Sequence, residues 1–254
     1  MHDAVLERIA AALIAAQRVL FVTGAGLSAD SGLPTYRGIG GLYEGIATAE
    51  GKPIEELLSG ATFRRNPELT WKYLLQVGRA CQAATFNTGH RVIAELERKL
   101  ERVVVLTQNV DGFHQRAGSS QVIEIHGNLF ELRCTRCPAR RKVSSFSALP
   151  PLPHCACGGV ERPDVVLFGE NLSEQKMDLL MSELQRGFDV VISVGTSGQF
   201  PYIRLPMIRA QVFGWLSVDI NPSASEMTPY ARHHLPLRAA EACEALWSRV
   251  LGAR

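Results

Sequence analysis

The chain has 254 residues, 27 Lys and Arg against 25 Asp and Glu, and a formal net charge of +2. That length fits one large domain, or one domain with a small module, and is enough to bury a core. With 46% hydrophobic and 20% charged residues, the composition excludes a disordered or collagen-like chain. A near balance of charge gives no electrostatic footprint of a dedicated nucleic-acid binder.

In chain order, the first segment reads as an amphipathic helix over 3–16, with Val5, Ile9 and Leu13 on one stripe. Asp3 and Glu7 stand where a secretory leader would carry basic residues, and no apolar run reaches the roughly 20 residues of a membrane span. The expected location is cytoplasmic, with no membrane association. Short apolar, β-branched runs at 18–23, 102–107, 122–125, 189–194 and 215–220 each end in glycine or polar residues. They read as buried parallel strands. Further helical patterns over 88–100, 173–187 and 239–251 alternate with them. The expected fold is α/β, an open parallel sheet with helices on both faces. Ligands of such sheets bind beyond the carboxyl ends of the strands.

Two segments break the alternation. Residues 38–70 form a long, glycine- and charge-rich connection with a weak helical piece over 54–58, the length of a functional loop. Residues 130–164 hold four of the six cysteines and read as a small inserted module. The expected division is therefore 1–129 with 165–254 as the main domain, and 130–164 as the module.

Cys134 and Cys137 form a C-x-x-C knuckle, and Cys155 and Cys157 follow after 17 residues. Four thiolates at this spacing suit one structural, tetrahedral zinc. The second knuckle is C-x-C, so His154 is kept as a neighbouring substitute ligand.

Gly24, Gly26 and Ala29 satisfy G-x-G-x-x-G/A after the first strand, a turn through which backbone N–H groups approach a pyrophosphate. Alone, the pattern is also that of an ordinary tight turn. Glu44 and Glu50 lie at the distance of a ribose-binding acid, yet no strand precedes them, which argues against a standard hydride-transfer enzyme.

The wider motifs are more specific. Residues 24–38 read GAGLSADSGLPTYRG, and 107–118 read TQNVDGFHQRAG. His126-Gly127, Phe168-Gly169-Glu170, Gly195-Thr196-Ser197 and Asn221 follow in order. This series resembles the sirtuins, the NAD-dependent protein deacylases, in a compact bacterial-type form, from about residue 18 to the C-terminus.

The resemblance implies a Rossmann-like NAD-binding domain and a small zinc-binding module with the active site between them. It implies that Gly24, Ala25 and Gly26 hold the pyrophosphate, and that Asp30, Pro34, Tyr36 and Arg37 belong to a loop closing over NAD. Gln108 and Asn109 would contact the nicotinamide ribose, Asp111 the carboxamide, and Gly195, Thr196, Ser197 and Asn221 the adenosine half. His126 would be the general base, with Asn109 beside it in catalysis. The implied reaction moves an acyl group from acyl-lysine to ADP-ribose and releases nicotinamide. The alternative on the same fold is an NAD hydrolase or ADP-ribosyltransferase. His114 is expected to support packing or a hydrogen bond, and His233 and His234 to lie on a surface loop.

Val165, Phe168, Gly169 and Glu170 are expected to offer backbone to an extended substrate peptide. The partners are then acyl-lysine proteins or peptides, and the expected state is a monomer. Sirtuins that take succinyl and other acidic chains carry a Tyr-x-x-Arg pair; here Tyr73 is followed three residues on by Gln76. The resemblance thus implies a neutral acyl pocket. The family also commonly continues past Gly195-Thr196-Ser197 with a valine, one residue, proline and alanine. Here the chain reads Gly198-Gln199-Phe200-Pro201-Tyr202, a departure from that pattern on both sides of the proline.

Overall fold

The computed structural model describes residues 2–34 and 48–252. The chain opens with helix α1 (His2–Ala15), strand β1 (Arg18–Thr23) and the short helix α2 (Ala25–Ala29). The long connection carries α3 (Ile54–Leu57) and α4 (Gly60–Arg65), and α5 (Pro67–Ala83) and α6 (Thr88–Glu97) follow. Next follow β2 (Arg102–Thr107), α7 (Phe113–Ala117), β3 (Val122–Glu124), β4 (Gly127–Cys134), β5 (Arg140–Lys142) and β6 (Glu161–Val165). The chain finishes with α8 (Glu174–Arg186), β7 (Val190–Val194), α9 (Pro201–Phe213), β8 (Leu216–Ile220), β9 (His233–Leu235) and α10 (Ala239–Gly252).

Six strands form one sheet in the order β3-β2-β1-β7-β8-β9, with every neighbouring pair parallel. Period-two alternation sorts their side chains between two cores. Val19 and Phe21 of β1 join Val103 and Val105 of β2 under α1, α6 and α10, where Ile9, Leu13, Ile93 and Leu246 are buried. Leu20, Val22, Val104 and Leu106 face the other way, onto Leu180 and Leu184 of α8 and Ile203 and Met207 of α9. Both faces are covered, which is why these strands read as continuous apolar runs rather than alternating ones. The order reverses between β1 and β7, and the chain leaves them toward opposite faces of the sheet, Leu27 into one core and Ile203 into the other, which sets a crevice at their carboxyl ends.

The second sheet is small and antiparallel, β5-β4-β6. Its inward residues, Leu129, Leu132 and Val165, share a core with Leu57, Phe63, Trp71 and Leu74 of α3–α5. Trp71 Nε1 donates to the Glu161 carbonyl at 2.8 Å, tying α5 to β6. The helices of the long connection therefore pack with the inserted sheet. The expected helix 88–100 ends at Glu97, and two long helices, α5 and α9, add to the clearest patterns of the sequence. His233 and His234 are not loop residues: they form the parallel edge strand β9 and are half-buried.

Candidate functional site

The site begins at the crevice. Gly26 N donates to Gly195 O at 2.8 Å, and a Cβ built on Gly26 would stand 2.7 Å from Gly195 Cα. Only bare backbone lets the turn after β1 and the turn after β7 close this tightly. Asn109, just past β2, reaches across: its Nδ2 donates to Gly24 O and to Ser28 Oγ, each at 3.0 Å. The Ser28 hydroxyl donates onward to Asp111 Oδ2 at 2.7 Å, and Phe113 N donates to Asp111 Oδ1 at 2.9 Å. These bonds lock the two signature segments together. Asp111 is buried, and burial raises its carboxyl above the usual range, against the opposing hydrogen bonds from Ser28 and Phe113.

On the other side of the crevice, Gln108 Nε2 donates to Thr196 Oγ1 at 2.6 Å and Asn221 Nδ2 to Thr196 O at 3.1 Å. Asn221 is held in turn by His234, whose Nε2 lies 2.9 Å from its carbonyl. Thus Gly24, Ala25, Gly26, Gln108, Asn109, Asp111, Gly195, Thr196, Ser197 and Asn221 gather around the carboxyl ends of β1, β2, β7 and β8. Asp30 does not turn toward them. It pairs with Arg238 and accepts the Ala240 N–H at 2.9 Å, at the start of α10. Pro34 is exposed at the edge of the described chain; Tyr36 and Arg37 lie outside the described residues.

His126 stands between the two sheets, one residue before β4. Gly127 follows with φ +90°, where an added Cβ would meet Asp164 O at 1.9 Å, so the turn that aims His126 admits only glycine. Nδ1 lies 3.1 Å from Gln108 O and Nε2 2.7 Å from the Tyr202 hydroxyl. Burial lowers the pKa of His126 and keeps the ring neutral, against the Gln108 carbonyl, which favours the charged form. Tyr202 was not among the expected site residues; its signal in the sequence is the departure from the family pattern after Ser197.

Val165 pairs with Gly127, and Val166 N donates to His126 O at 2.8 Å, so the strip 165–170 starts beside the histidine. Phe168 has both backbone groups committed: its N–H to Leu58 O and its carbonyl to Gly60 N, each at 3.0 Å. Open space remains at Gly169, with φ +76° and no atom within 4 Å of an added Cβ. The Glu170 carboxylate is taken by Arg162, at 2.6 and 2.9 Å, and by Leu167 N at 3.0 Å. It braces the strip rather than facing outward. Tyr73 is buried with its phenol on Glu50, and Gln76 is exposed.

The sulfurs of Cys134, Cys137, Cys155 and Cys157 lie within 4.8 Å of one another, with Cys134 to Cys157 at 3.5 Å and Cys137 to Cys155 at 3.7 Å. Zinc–sulfur bonds of about 2.3 Å in a tetrahedron place sulfurs about 3.8 Å apart, so the donor set fits zinc. The Arg136 N–H lowers the Cys134 thiol, whereas at Cys137 the Ala139 N–H is outweighed by the Cys157 and Cys134 sulfurs and the thiol is raised, as four thiols crowded around one point would be. His154 is outside the cluster, its Nδ1 3.0 Å from Leu152 O. Cys81 and Cys243 are buried elsewhere, and burial pushes both thiols up to about 12.

His114, as expected, serves packing: it is buried and its Nε2 lies 3.0 Å from Thr23 Oγ1. Burial drops it to about 3, so between pH 6.5 and 3 the unfolded chain binds a proton that the folded chain refuses. That proton removes stability as the pH falls through this window, at about 1.4 kcal/mol per pH unit. Denaturation of His114→Gln between pH 6 and 4 is expected to show a slope shallower by that amount; equal slopes would show that His114 is charged in the fold.

Residues 24–201 match the Sir2 family. The "NAD-dependent protein deacylase 2" of Pseudomonas aeruginosa is 51% identical over 229 residues, covering 88% of each chain. A crystal structure of a Sir2 homolog–NAD complex superposes with a TM-score of 0.87 at 38% identity, covering 97% of this chain and 94% of the other. A Sir2–p53 peptide–NAD+ structure gives 0.82 at 27% identity, covering 98% and 99%.

Proposed function

The chain belongs to the Sir2 family, and on that premise we propose that it is an NAD-dependent protein-lysine deacylase that transfers the acyl group of acyl-lysine to ADP-ribose and releases nicotinamide. The observation that carries this reading is the locked set Gly24–Asn109–Ser28–Asp111 at the crevice, with His126 beside it on Gln108.

In this reading the bare turns at Gly24, Gly26 and Gly195 take the pyrophosphate, and Thr196, Ser197 and Asn221 border the adenosine half. Asn109 and Asp111 take the nicotinamide side, where a buried carboxyl already organised by Ser28 meets an amide without reorganising. NAD supplies the ribose carbon that gives up nicotinamide and the hydroxyl that receives the acyl group. His126 removes the proton of that hydroxyl at Nε2. It is suited to this because its ring is neutral and its Nδ1 is fixed on the Gln108 carbonyl. Acyl-lysine enters between the two sheets, along the strip from Val165 to Gly169. Its acyl chain is neutral, since the Tyr73 phenol is occupied by Glu50 and Gln76 stands in place of an arginine.

Residues 130–164 serve as the zinc module, with Cys134, Cys137, Cys155 and Cys157 as a closed structural site. Residues 1–129 with 165–254 serve as the NAD-binding domain. Among the described residues no helix is long and apolar enough to cross a membrane. The reading includes a cytoplasmic location and a monomeric state, both carried by the sequence alone.

Product analysis tests the reading. Purified protein with NAD and an acetyl-lysine peptide is expected to yield free lysine and O-acetyl-ADP-ribose in equal amounts. Free ADP-ribose, or ADP-ribose attached to protein, with the peptide intact would instead indicate a hydrolase or transferase.

A further inference from the structure

The segment that departs from the family pattern reaches His126. Thr196 Oγ1 accepts the Gly198 N–H at 3.2 Å, and Gly198 turns the chain with φ +68°. Helix α9 then starts with Phe200 as its N-cap and Pro201 in its first turn. This sets the Tyr202 hydroxyl 2.7 Å from His126 Nε2.

The direction of that bond follows from the far side of the ring. The Gln108 carbonyl, 3.1 Å from Nδ1, can only accept. Nδ1 therefore carries the proton, Nε2 presents a lone pair, and the phenol donates. Burial pushes the Tyr202 phenol up to about 12, so it keeps its proton at any working pH. Phe200 stacks on Tyr202 at 5.4 Å, and both rings stand edge-on to the imidazole, at 5.8 and 6.0 Å. The same lone pair that would take a proton from substrate is thus occupied in the free protein.

We propose that Tyr202 is a positioning residue for His126: its hydroxyl holds the Nε2 lone pair in the free protein, fixes the tautomer and ring plane, and yields that lone pair to the hydroxyl His126 deprotonates. This rests on the reading of His126 as the base. The start of α9 is built to yield. Pro206 lies inside the helix and has no N–H, so the Tyr202 carbonyl receives no bond from the residue four positions on. The first turn is held by Ile203 N and Arg204 N on Phe200 O, at 3.0 and 3.3 Å.

The phenol donates to Nε2 of the neutral ring and, with its hydroxyl turned, can accept from Nε2–H of the imidazolium. Removing the hydroxyl therefore leaves Nε2 without a partner in either form, and the loss is read most directly at the Nε2 nitrogen of the neutral ring. The other groups acting on the ring stay in place: burial and Lys176 of α8, whose Nζ donates to Glu124 O at 2.7 Å, disfavour the charged form, and the Gln108 carbonyl favours it.

The experiment is histidine-labelled NMR of the full-length, ligand-free protein across pH, with His126→Ala assigning the resonance, alongside the pH profile of kcat/KM. Wild type is expected to show the Nδ1–H tautomer at His126. In Tyr202→Phe the Nε2 resonance of the neutral ring is expected to move to that of a lone pair with no donor, and any shift of the His126 midpoint, up to about one pH unit for one hydrogen bond, to be matched by the acid limb of kcat/KM. Tyr202→Leu, which also removes the ring, should reproduce the change at Nε2. An unchanged Nε2 resonance in both variants overturns the proposal, even in a fully active enzyme. A changed Nε2 resonance in a protein that does not deacylate upholds the pairing of hydroxyl and imidazole and overturns the reading of the function instead.

Discussion

His126→Ala is expected to lower kcat for deacylation by about 10²–10⁴-fold, the usual contribution of a positioned general base. Thermal stability should change little, because His126 is only part-buried and its ring bonds outward, to Gln108 O and Tyr202. NAD affinity should change less than kcat, since the turn at Gly24 and Gly26 is held by Gly195 and Asn109 rather than by His126. The sign of the pH dependence is also fixed. Burial lowers the His126 pKa, so activity persists below pH 6.5 and is lost as the pH falls through the lowered value. A variant that keeps more than a tenth of the wild-type kcat would place the base elsewhere.

Removal of zinc is expected to have the largest effect on stability. Structural zinc supplies on the order of 10 kcal/mol to small modules. The cysteine cluster ends β4, the central strand of the small sheet, and that sheet shares its core with α3–α5. Loss of the ion should therefore loosen Trp71 and Phe63 as well as the knuckles. Strong chelation, or Cys137→Ser, is expected to lower Tm by 10 °C or more, on the order of 2–4 °C per kcal/mol for a chain of this size. Metal analysis of the untreated protein should find one zinc per chain. A content far below one, with Tm unaffected by chelator, would show that the cluster does not need metal.

The large sheet was legible because its strands are buried on both faces. Runs such as 102–107 and 189–194 stand out as apolar whatever their register, and their polar ends mark the crevice. The sheet's edge was not: β9 is three residues long and carries His233 and His234, which read as loop. Helices α5 and α9 stand out less in the sequence, because the buried face of α5 mixes Thr70, Trp71, Tyr73 and Gly78 with leucines and Pro206 interrupts the pattern of α9.

At the site, spacing carried the four cysteines, since metal ligands must converge and few other arrangements of cysteine do. Motif order carried Asn109, Asp111 and His126. What no local pattern could give was how side chains are used across the chain. Asp30 sits inside the glycine-loop signature yet caps α10, because Arg238 and the Ala240 N–H are brought to it by the fold. Glu170 is held by Arg162 from the neighbouring strand. Tyr202 is 76 residues from His126 in sequence and 2.7 Å from it in space.

The most direct test of the account is a mass-spectrometric time course of an acetyl-lysine peptide with the purified protein, with and without NAD. Loss of the acetyl group is expected only when NAD is present, with one nicotinamide and one O-acetyl-ADP-ribose formed per lysine freed. Deacetylation at the same rate without NAD, or NAD consumed while acetyl-, longer apolar acyl- and succinyl-lysine peptides all stay intact, would contradict it.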